Sequence, residues 1–317
     1  MKKIFTVLLI LVLAPGMFTA CGGGAKEEAL SDKPTKTIGF SQVNLNDPFQ
    51  TLVVEAATVK ADELGYTLDV QYAQEDLAKQ IDQVNAMIEQ GYDAIMVVPV
   101  DTSAMGPITD AVTAAGIPLI YVNRYPFGTE EPPAGVYYVG SQSIVSGRLQ
   151  GQFLIDAMGE KGGVGILMGI LVNEAAVERT KGNEEILFKY PDIKILAKEA
   201  GDWAFDKGMD ITENWLATYG KALNAILSNN DNMALGALQA LEDAGRDDVI
   251  VVGIDAITDA RELVKEGKLA ATVLQDAAGQ GVTGVEVAVK AAGGEIPEAV
   301  TWIDYILITP ENVDQYL

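Results

Sequence analysis

The chain has 317 residues, is 49% hydrophobic and carries a formal net charge of −23. This acidity opposes binding to nucleic acid, because a phosphate backbone repels a negatively charged surface. The chain has no histidine, so it lacks the commonest general base. Its single cysteine excludes an internal disulfide and a cysteine-cluster metal site. We expect neither a cofactor nor a bound metal ion.

Residues 1–20 have the pattern of a secretory signal peptide. Two lysines precede a short apolar run at 4–13, and small residues follow at 14–20. The run is too short for a permanent membrane span. Cys21 then ends a segment that resembles a bacterial lipobox, so we predict that Cys21 is lipidated and that 21–35 is a flexible tether. The alternative is an ordinary secretory signal with a chance cysteine. Both interpretations predict an extracytoplasmic protein. If Cys21 is lipidated, the lipid alone attaches the protein to the membrane.

From residue 36 onward, short apolar runs alternate with amphipathic stretches. The runs predict strands at 37–40, 68–72, 94–98, 119–122, 136–139, 164–168, 194–199, 225–227, 249–254 and 270–274. Helices are predicted from Pro48 and from about 103, and at 77–90, 141–159, 175–190, 207–219 and 233–244. Asp47 is the expected N-cap of the first of these helices, and Asp231 of the last. The repeated β-α-β order predicts an α/β fold with two doubly wound, Rossmann-like parallel-sheet lobes.

Polar or aromatic residues follow almost every predicted strand, at the position where open α/β sheets bind ligands. They are Asn44, Asn46, Asp47, Phe49, Asn123, Arg124, Asn173, Arg179, Asp202, Trp203, Asn229, Asn230, Asp231, Asp255, Gln275 and Asp276. Carboxylates, amides and guanidinium groups can bridge neighbouring hydroxyls, and aromatic rings pack on the C–H face of a sugar. This pattern favours a polyol ligand. Each residue also has a structural alternative, as a helix cap, a core aromatic or a surface side chain.

Five segments together resemble the periplasmic ribose- and galactose/glucose-binding proteins: 46–49, 175–180, 230–241, 251–256 and 269–276. The resemblance covers about 36–309. It implies two lobes joined by a three-strand hinge that closes on a monosaccharide, and delivery of that sugar to the permease of an ABC transporter. It also implies a monomer with a first lobe of 36–140 plus 276–303 and a second lobe of 141–275 plus 304–317.

The resemblance also implies which residues hold the ligand: Asp47, Phe49, Asn123, Arg124, Arg179, Trp203, Asn230, Asp255 and Gln275. Asp47 and Trp203 match the galactose/glucose branch and favour a hexose, with a pentose or cyclitol as alternatives. The Asn123-Arg124 pair is instead similar to an Asp-Arg pair of the ribose branch. Val98 stands where the family has an asparagine. The calcium loop of the galactose/glucose branch has no counterpart, so no structural calcium is expected.

Three other functions are alternatives to sugar delivery. A sugar-responsive transcription regulator would need an N-terminal helix-turn-helix and a basic patch, and the chain has a signal-like segment and an acidic composition instead. A secreted glycosidase could use Asp47 and Asp255 as an acid/base pair. A sensor that presents bound sugar to a chemoreceptor or histidine kinase is compatible with the same fold.

Overall fold

The computed structural model describes residues 36–317. The predicted signal peptide, the lipidation site Cys21 and the tether 21–35 lie outside the described residues, so those predictions stay untested. Within 36–317, no helix combines the length and apolar character that crossing a membrane requires.

The first of two six-stranded sheets is parallel throughout and has the order β11-β5-β4-β3-β1-β2. Its strands are β1 (Thr37–Gln42), β2 (Thr67–Tyr72), β3 (Ala94–Val97), β4 (Leu119–Val122), β5 (Val136–Gly140) and β11 (Val300–Trp302). Its helices are α1 (Pro48–Glu63), α2 (Leu77–Glu89), α3 (Gly106–Ala114) and α9 (Ala277–Ala292). Alternate residues of β3 and β4 face α1 and α9 on one side and α2 and α3 on the other, which explains why both strands are entirely apolar.

The second sheet has the order β12-β10-β9-β8-β6-β7 and is parallel except for the β10–β12 pair. Its strands are β6 (Lys161–Met168), β7 (Asp192–Ala200), β8 (Leu223–Ser228), β9 (Ile250–Asp255), β10 (Ala271–Leu274) and β12 (Ile306–Ile308). The associated helices are α4 (Ser143–Met158), α5 (Glu174–Leu187), α6 (Phe205–Tyr219), α7 (Asp231–Asp243) and α8 (Thr258–Lys265). Helices α4 and α5 pack on one face, and α6, α7 and α8 contribute to the core on the other.

The two sheets with their helices form the two lobes that the sequence predicts. The chain passes between them after β5, after β10 and after β11, which gives three crossovers. All strands of the first sheet lie within 36–140 or 276–303, and those of the second within 141–275 or 304–317. The boundaries drawn between the lobes stay a prediction.

Two predicted helix caps have different outcomes. Asp47 is the N-cap of α1, as predicted, and its Oδ1 accepts from the backbone N–H groups of Phe49 and Gln50. The prediction for Asp231 was wrong, because Asn230 is the N-cap of α7 and accepts from the Met233 N–H at 3.0 Å. Asp231 is instead the first helical residue, and its carboxylate points into the core of the second lobe.

Candidate ligand-binding site

A cavity of about 30 Å³ lies between the carboxyl ends of the two sheets. It is lined by eleven residues: Asp47, Phe49, Gln50, Asn123, Arg124, Ala175, Arg179, Trp203, Asn230, Asp255 and Gln275. The structure therefore brings together all nine residues that the resemblance marks as ligand-binding. This volume is well below the range usual for small-molecule sites.

Asp47 combines a structural contact with a cavity-facing position. One carboxylate oxygen, Oδ1, caps α1 at 2.9 Å from the Phe49 N and 3.2 Å from the Gln50 N. No protein donor among the described residues contacts the second oxygen. Burial raises the pKa of Asp47, while the two amides and the nearby guanidinium groups of Arg124 and Arg179 oppose that rise. The sequence suggests two roles for Asp47, as a helix cap and as an acceptor that faces the ligand. One side chain can therefore fill both roles.

Two arginines face the cavity, one from each lobe. Arg124 is 3% exposed and donates from Nη1 to the Pro99 carbonyl at 2.9 Å, with Glu75 at 3.8 Å. Arg179, on α5, is 4% exposed and donates from Nη1 to the Asn229 carbonyl at 2.5 Å. Because these bonds fix the guanidinium planes, both arginines are preorganised to donate to a ligand.

Arg179 also organises the second-lobe side of the cavity. Its Nη2 donates to the Gln275 Oε1 at 2.8 Å, and its Nη1 lies 3.5 Å from the Asp255 Oδ1. The guanidinium carbon is 5.7 Å from the centre of the Trp203 ring. The Nε of Arg179 is buried and has no acceptor among the described residues.

Asp255 ends β9 with φ = 119°, a conformation that L residues rarely adopt. Burial raises the pKa of its carboxyl well above the usual range, Arg179 acts against that rise, and the nearby Asp231 adds to it. Asp255 is not a helix cap, which was the structural alternative for this residue, since Ile257 is the N-cap residue of α8. Asp255 therefore places its carboxylate beside Arg179 in the cavity.

Trp203 and Phe49 supply aromatic rings from opposite lobes. The Trp203 indole N–H donates to the Asn173 Oδ1 at 3.1 Å, so only the ring face is left for a ligand. The ring lies directly on Gly169, where an added Cβ would be 2.0 Å from Cζ2 of the indole. Gly169 thus has no room for a side chain, and the indole is held in one position.

Two of the predicted ligand residues have their side-chain amides engaged by the protein. Asn230 accepts from the Met233 N–H and donates to the Trp203 carbonyl at 3.3 Å. Asn123 accepts from Gln50 at 2.9 Å and donates to Gln280 at 3.1 Å. Each amide keeps one N–H, so each retains less hydrogen-bonding capacity for a ligand than its residue type suggests.

Several strand-end residues noted in the sequence do not line the cavity. Asp276 caps α9 through the Gly279 N–H at 2.8 Å. Asn229 accepts from the Gly169 N–H and from Thr180 within the second lobe. Asp202 pairs with Lys207 on the surface. Gln50, by contrast, lines the cavity but was missed, because a glutamine in the first turn of a helix normally faces solvent.

Hydrogen bonds between the lobes lie beside the cavity. Thr102 donates from Oγ1 to the Val172 carbonyl at 3.0 Å and accepts from the Glu174 N–H at 3.0 Å. Asn173 donates to the Val100 carbonyl at 2.8 Å. Because Asn173 also holds the indole of Trp203, the contact between lobes is linked to the wall of the cavity. We call Val100, Thr102, Val172, Asn173 and Glu174 the rim contact.

The charges of the cavity balance. Asp47 and Asp255 supply two carboxylates, and Arg124 and Arg179 supply two guanidinium groups. Among residues 36–317, no group of three or more acidic side chains is arranged to hold a metal ion. A buried site lined by equal numbers of acidic and basic side chains suits a neutral ligand with several hydroxyls, because each hydroxyl donates and accepts.

The chain is similar to proteins that bind neutral polyols. Residues 38–296 match the model of the periplasmic binding protein domain. A solute-binding protein of an ABC transporter from Bacillus halodurans, solved with bound myo-inositol, is 41% identical with a TM-score of 0.84, over 89% of this chain and 97% of that one. An Actinobacillus succinogenes protein with bound D-allose is 30% identical, with a TM-score of 0.83, over 89% and 100% of the respective chains. A xylitol-binding protein of Mycolicibacterium smegmatis is 36% identical over 93% of this chain and 82% of its own length.

Proposed function

Because the chain belongs to the periplasmic binding protein family, we propose that it captures a neutral polyol outside the cytoplasm and delivers it to an ABC permease. The observation that carries this proposal is the charge-balanced cavity between the lobes, with aromatic rings from Phe49 and Trp203. The carboxylates accept from ligand hydroxyls, the arginines donate to ligand oxygens, and the rings pack against C–H faces.

The contacts of Arg179 support a ligand that bridges several groups of the second lobe. Its Nε is a buried donor without an acceptor in the described part of the chain, and such a group costs free energy until it is paired. A ligand oxygen beside Arg179 would satisfy that donor. Adjacent hydroxyls would also reach Asp255 and the Nε2 of Gln275, since Arg179 contacts both residues.

We infer that the ligand is a six-membered ring polyol, a hexose or a cyclitol. Asp47 and Trp203 favour a hexose by their match to the galactose/glucose branch. The similar Bacillus halodurans and Actinobacillus succinogenes proteins were solved with myo-inositol and D-allose, which supports either ring type. Because one relative is a xylitol-binding protein, xylitol is the open-chain polyol with which the ring polyols are compared.

Capture would proceed by closure of the lobes about the three crossovers. A ligand held by Asp47 and Arg124 on one side and by Arg179 and Asp255 on the other has more contacts in the closed form than in the open form. It therefore shifts the population toward closure by its differential affinity. The closed form would then dock on the permease, and lipid at Cys21 would keep the protein near it.

Calorimetric titration with myo-inositol, D-allose, D-glucose, D-galactose, D-ribose and xylitol tests the ligand class. Binding of at least one neutral ring polyol is expected, with no binding of a sugar phosphate or an amino acid. If no polyol binds, or if a charged ligand binds more tightly than every polyol, the proposal is wrong. Incubation with aryl glycosides separates binding from hydrolysis, and no released phenol is expected because the protein acts by binding alone.

A further inference from the structure

A chain of buried side-chain hydrogen bonds runs along the carboxyl edge of the first sheet. Gln42 donates to the Gln50 Oε1 at 2.8 Å, and Gln50 donates to the Asn123 Oδ1 at 2.9 Å. Asn123 donates to the Gln280 Oε1 at 3.1 Å, and Gln280 donates to the Ser141 Oγ at 3.4 Å. All five residues are at most 7% exposed. We call them the amide relay.

The direction of the relay is fixed at one end. The backbone N–H of Val43 can only donate, and it lies 2.8 Å from the Oε1 of Gln42. Gln42 must therefore turn its oxygen toward Val43 and its nitrogen toward Gln50. Each following amide is oriented in the same sense, because a carboxamide turned the other way would place two donors or two acceptors against each other. The orientation of Asn123 is thus set by its neighbours before any ligand arrives.

The backbone of Asn123 is also held by the protein. Its φ is 69°, in the left-handed region, which asparagine adopts more readily than most residues with a side chain. Its backbone N–H donates to the Val139 carbonyl at 2.9 Å, and its carbonyl accepts from the Tyr138 hydroxyl at 2.8 Å. The next residue in the chain is Arg124, which faces the cavity. The turn at Asn123 therefore decides where Arg124 is placed.

We propose that Gln50 and Gln280 are positioning residues of the binding site, which hold the Asn123 carboxamide in one orientation and so fix Asn123 and Arg124 against the ligand. Gln280 is fully buried and does not line the cavity, so it acts through Asn123. The relay also reaches Ser141 at the first crossover, which ties the position of Asn123 to the hinge. This inference rests on the proposed function.

The test compares two buried polar side chains, one within the relay and one outside it. Gln280→Met keeps the volume but removes the acceptor for Asn123, and we expect polyol affinity to fall about tenfold. Gln280→Glu at pH 5, where burial favours the protonated carboxyl, keeps an acceptor for Asn123 and a donor for Ser141, so affinity should stay within about threefold of the wild type. The control is Thr212→Val, since Thr212 is equally buried but its hydroxyl bonds to the Gly208 carbonyl within α6, outside the relay and the cavity lining.

A second comparison tests the direct contact between Asn123 and Gln280. Asn123→Asp keeps the acceptor for Gln50, and a reversed Gln280 amide can donate to the new carboxylate. Gln280→Glu is tolerated for the reason given above. The double variant places two carboxylates together. Its fold-loss of affinity at pH 8 should therefore exceed the product of the two single fold-losses, and its affinity should recover toward pH 5.

Dissociation constants by calorimetry and melting temperatures are measured for every variant. The proposal is supported if Gln280→Met loses affinity while Thr212→Val keeps it. It is overturned if both variants melt earlier yet bind as tightly as the wild type, because Gln280 would then be a purely structural residue. It is also overturned if the double variant is additive at pH 8. A wild-type protein that binds no polyol contradicts the proposed function instead.

Discussion

Arg179 donates from Nη2 to the Oε1 of Gln275 at 2.8 Å, so the Gln275 oxygen is engaged by a cation and its Nε2 hydrogens are left for the cavity. Gln275 directly follows β10, at the second crossover between the lobes. The bond therefore connects an arginine on α5 with a strand of the hinge. A ligand bound beside both Arg179 and Gln275 would therefore lie next to the second crossover.

Replacement of Asp47 should separate its two roles. Asp47→Ala is expected to weaken polyol binding by about tenfold or more and to lower the free energy of unfolding by about 1 kcal/mol, because it removes both a cavity acceptor and the N-cap of α1. Asp47→Ser keeps a capping oxygen and should recover stability but not affinity. Asp76→Ala is the control, since Asp76 caps α2 outside the cavity lining. Titration calorimetry and urea unfolding measure the two effects, and full affinity in Asp47→Ala would contradict the assignment.

Removal of the Trp203 ring should weaken polyol binding by about tenfold or more, because a C–H face of the ligand would lose its aromatic partner. Trp203→Phe keeps a ring face but loses the indole N–H to Asn173, so it should retain more affinity than Trp203→Ala. The control is Trp302→Ala on the edge strand β11, where the side chain is 45% exposed and outside the cavity lining. Equal affinities of Trp203→Ala and the wild type, measured by calorimetry, would remove Trp203 from the site.

Local signals in the sequence predict those parts of the fold that depend on neighbours in the chain. Asp47 followed by Pro48 predicts the start of α1 because both residues act on the same helical turn. Unbroken apolar runs predict β3 and β4 because both faces of these strands are covered by helices. The lining of the cavity was predicted through the family resemblance, since spacing alone does not show which strand ends meet.

Contacts between distant segments decide what the sequence could not show. Asn230 and Asp231 are both favoured capping residues, and the choice between them depends on Thr272 and Ile257, which bond to Asp231 from other elements. Gln50 is buried only because Gln42 and Asn123 surround its amide. The helix predicted from about 103 begins at Gly106, because the turn before it belongs to the rim contact.

Asp231→Ala should destabilise the second lobe, although Asp231 does not line the cavity. The Asp231 Oδ1 accepts from the Thr272 hydroxyl at 2.6 Å and its Oδ2 from the Ile257 N–H at 3.0 Å, so the variant leaves two buried donors unpaired. A loss of about 2 to 4 kcal/mol in the free energy of unfolding is expected by urea titration. Gly253→Ala should also destabilise the second lobe, since the added Cβ would lie 1.9 Å from the Asp231 Oδ1. Asp243→Ala, at the end of α7, is the control, and a loss no larger than its own would refute the role.

Thr102→Val should open the lobes. The substitution preserves shape but removes the hydroxyl that donates to the Val172 carbonyl and accepts from the Glu174 N–H. With the rim contact weakened, the ligand-free protein should have a larger radius of gyration by X-ray scattering, and its polyol affinity should fall about threefold to tenfold. Thr109→Val is the matched control, because its hydroxyl bonds to the Met105 carbonyl within the first lobe. An unchanged radius together with unchanged affinity would show that the rim contact does not hold the lobes.

Glu174→Gln should make the protein more stable at high pH. Burial raises the pKa of Glu174 to about 7, while the Ser143 hydroxyl and Arg179 act against that rise. Because an ordinary glutamate titrates near 4.5, the folded protein binds the extra proton between about pH 4.5 and 7, and its stability falls as the pH rises through that window. Glutamine resembles the protonated acid at every pH. The variant should therefore match the wild type near pH 4.5 and exceed it by about 2 to 3 kcal/mol at pH 8.

Urea unfolding of both proteins at pH 4.5, 6 and 8 measures this difference directly. Asp231 and Asp255 also have raised pKa values, so their ionisation likewise lowers the free energy of unfolding as the pH rises. Both residues are present in both proteins, and their contributions cancel in the comparison. Glu213→Gln, at an exposed position of α6, is the control for the loss of one acidic side chain. If Glu174→Gln is less stable than the wild type at pH 8, the ionised carboxylate strengthens the rim contact, and burial is not the dominant influence on Glu174.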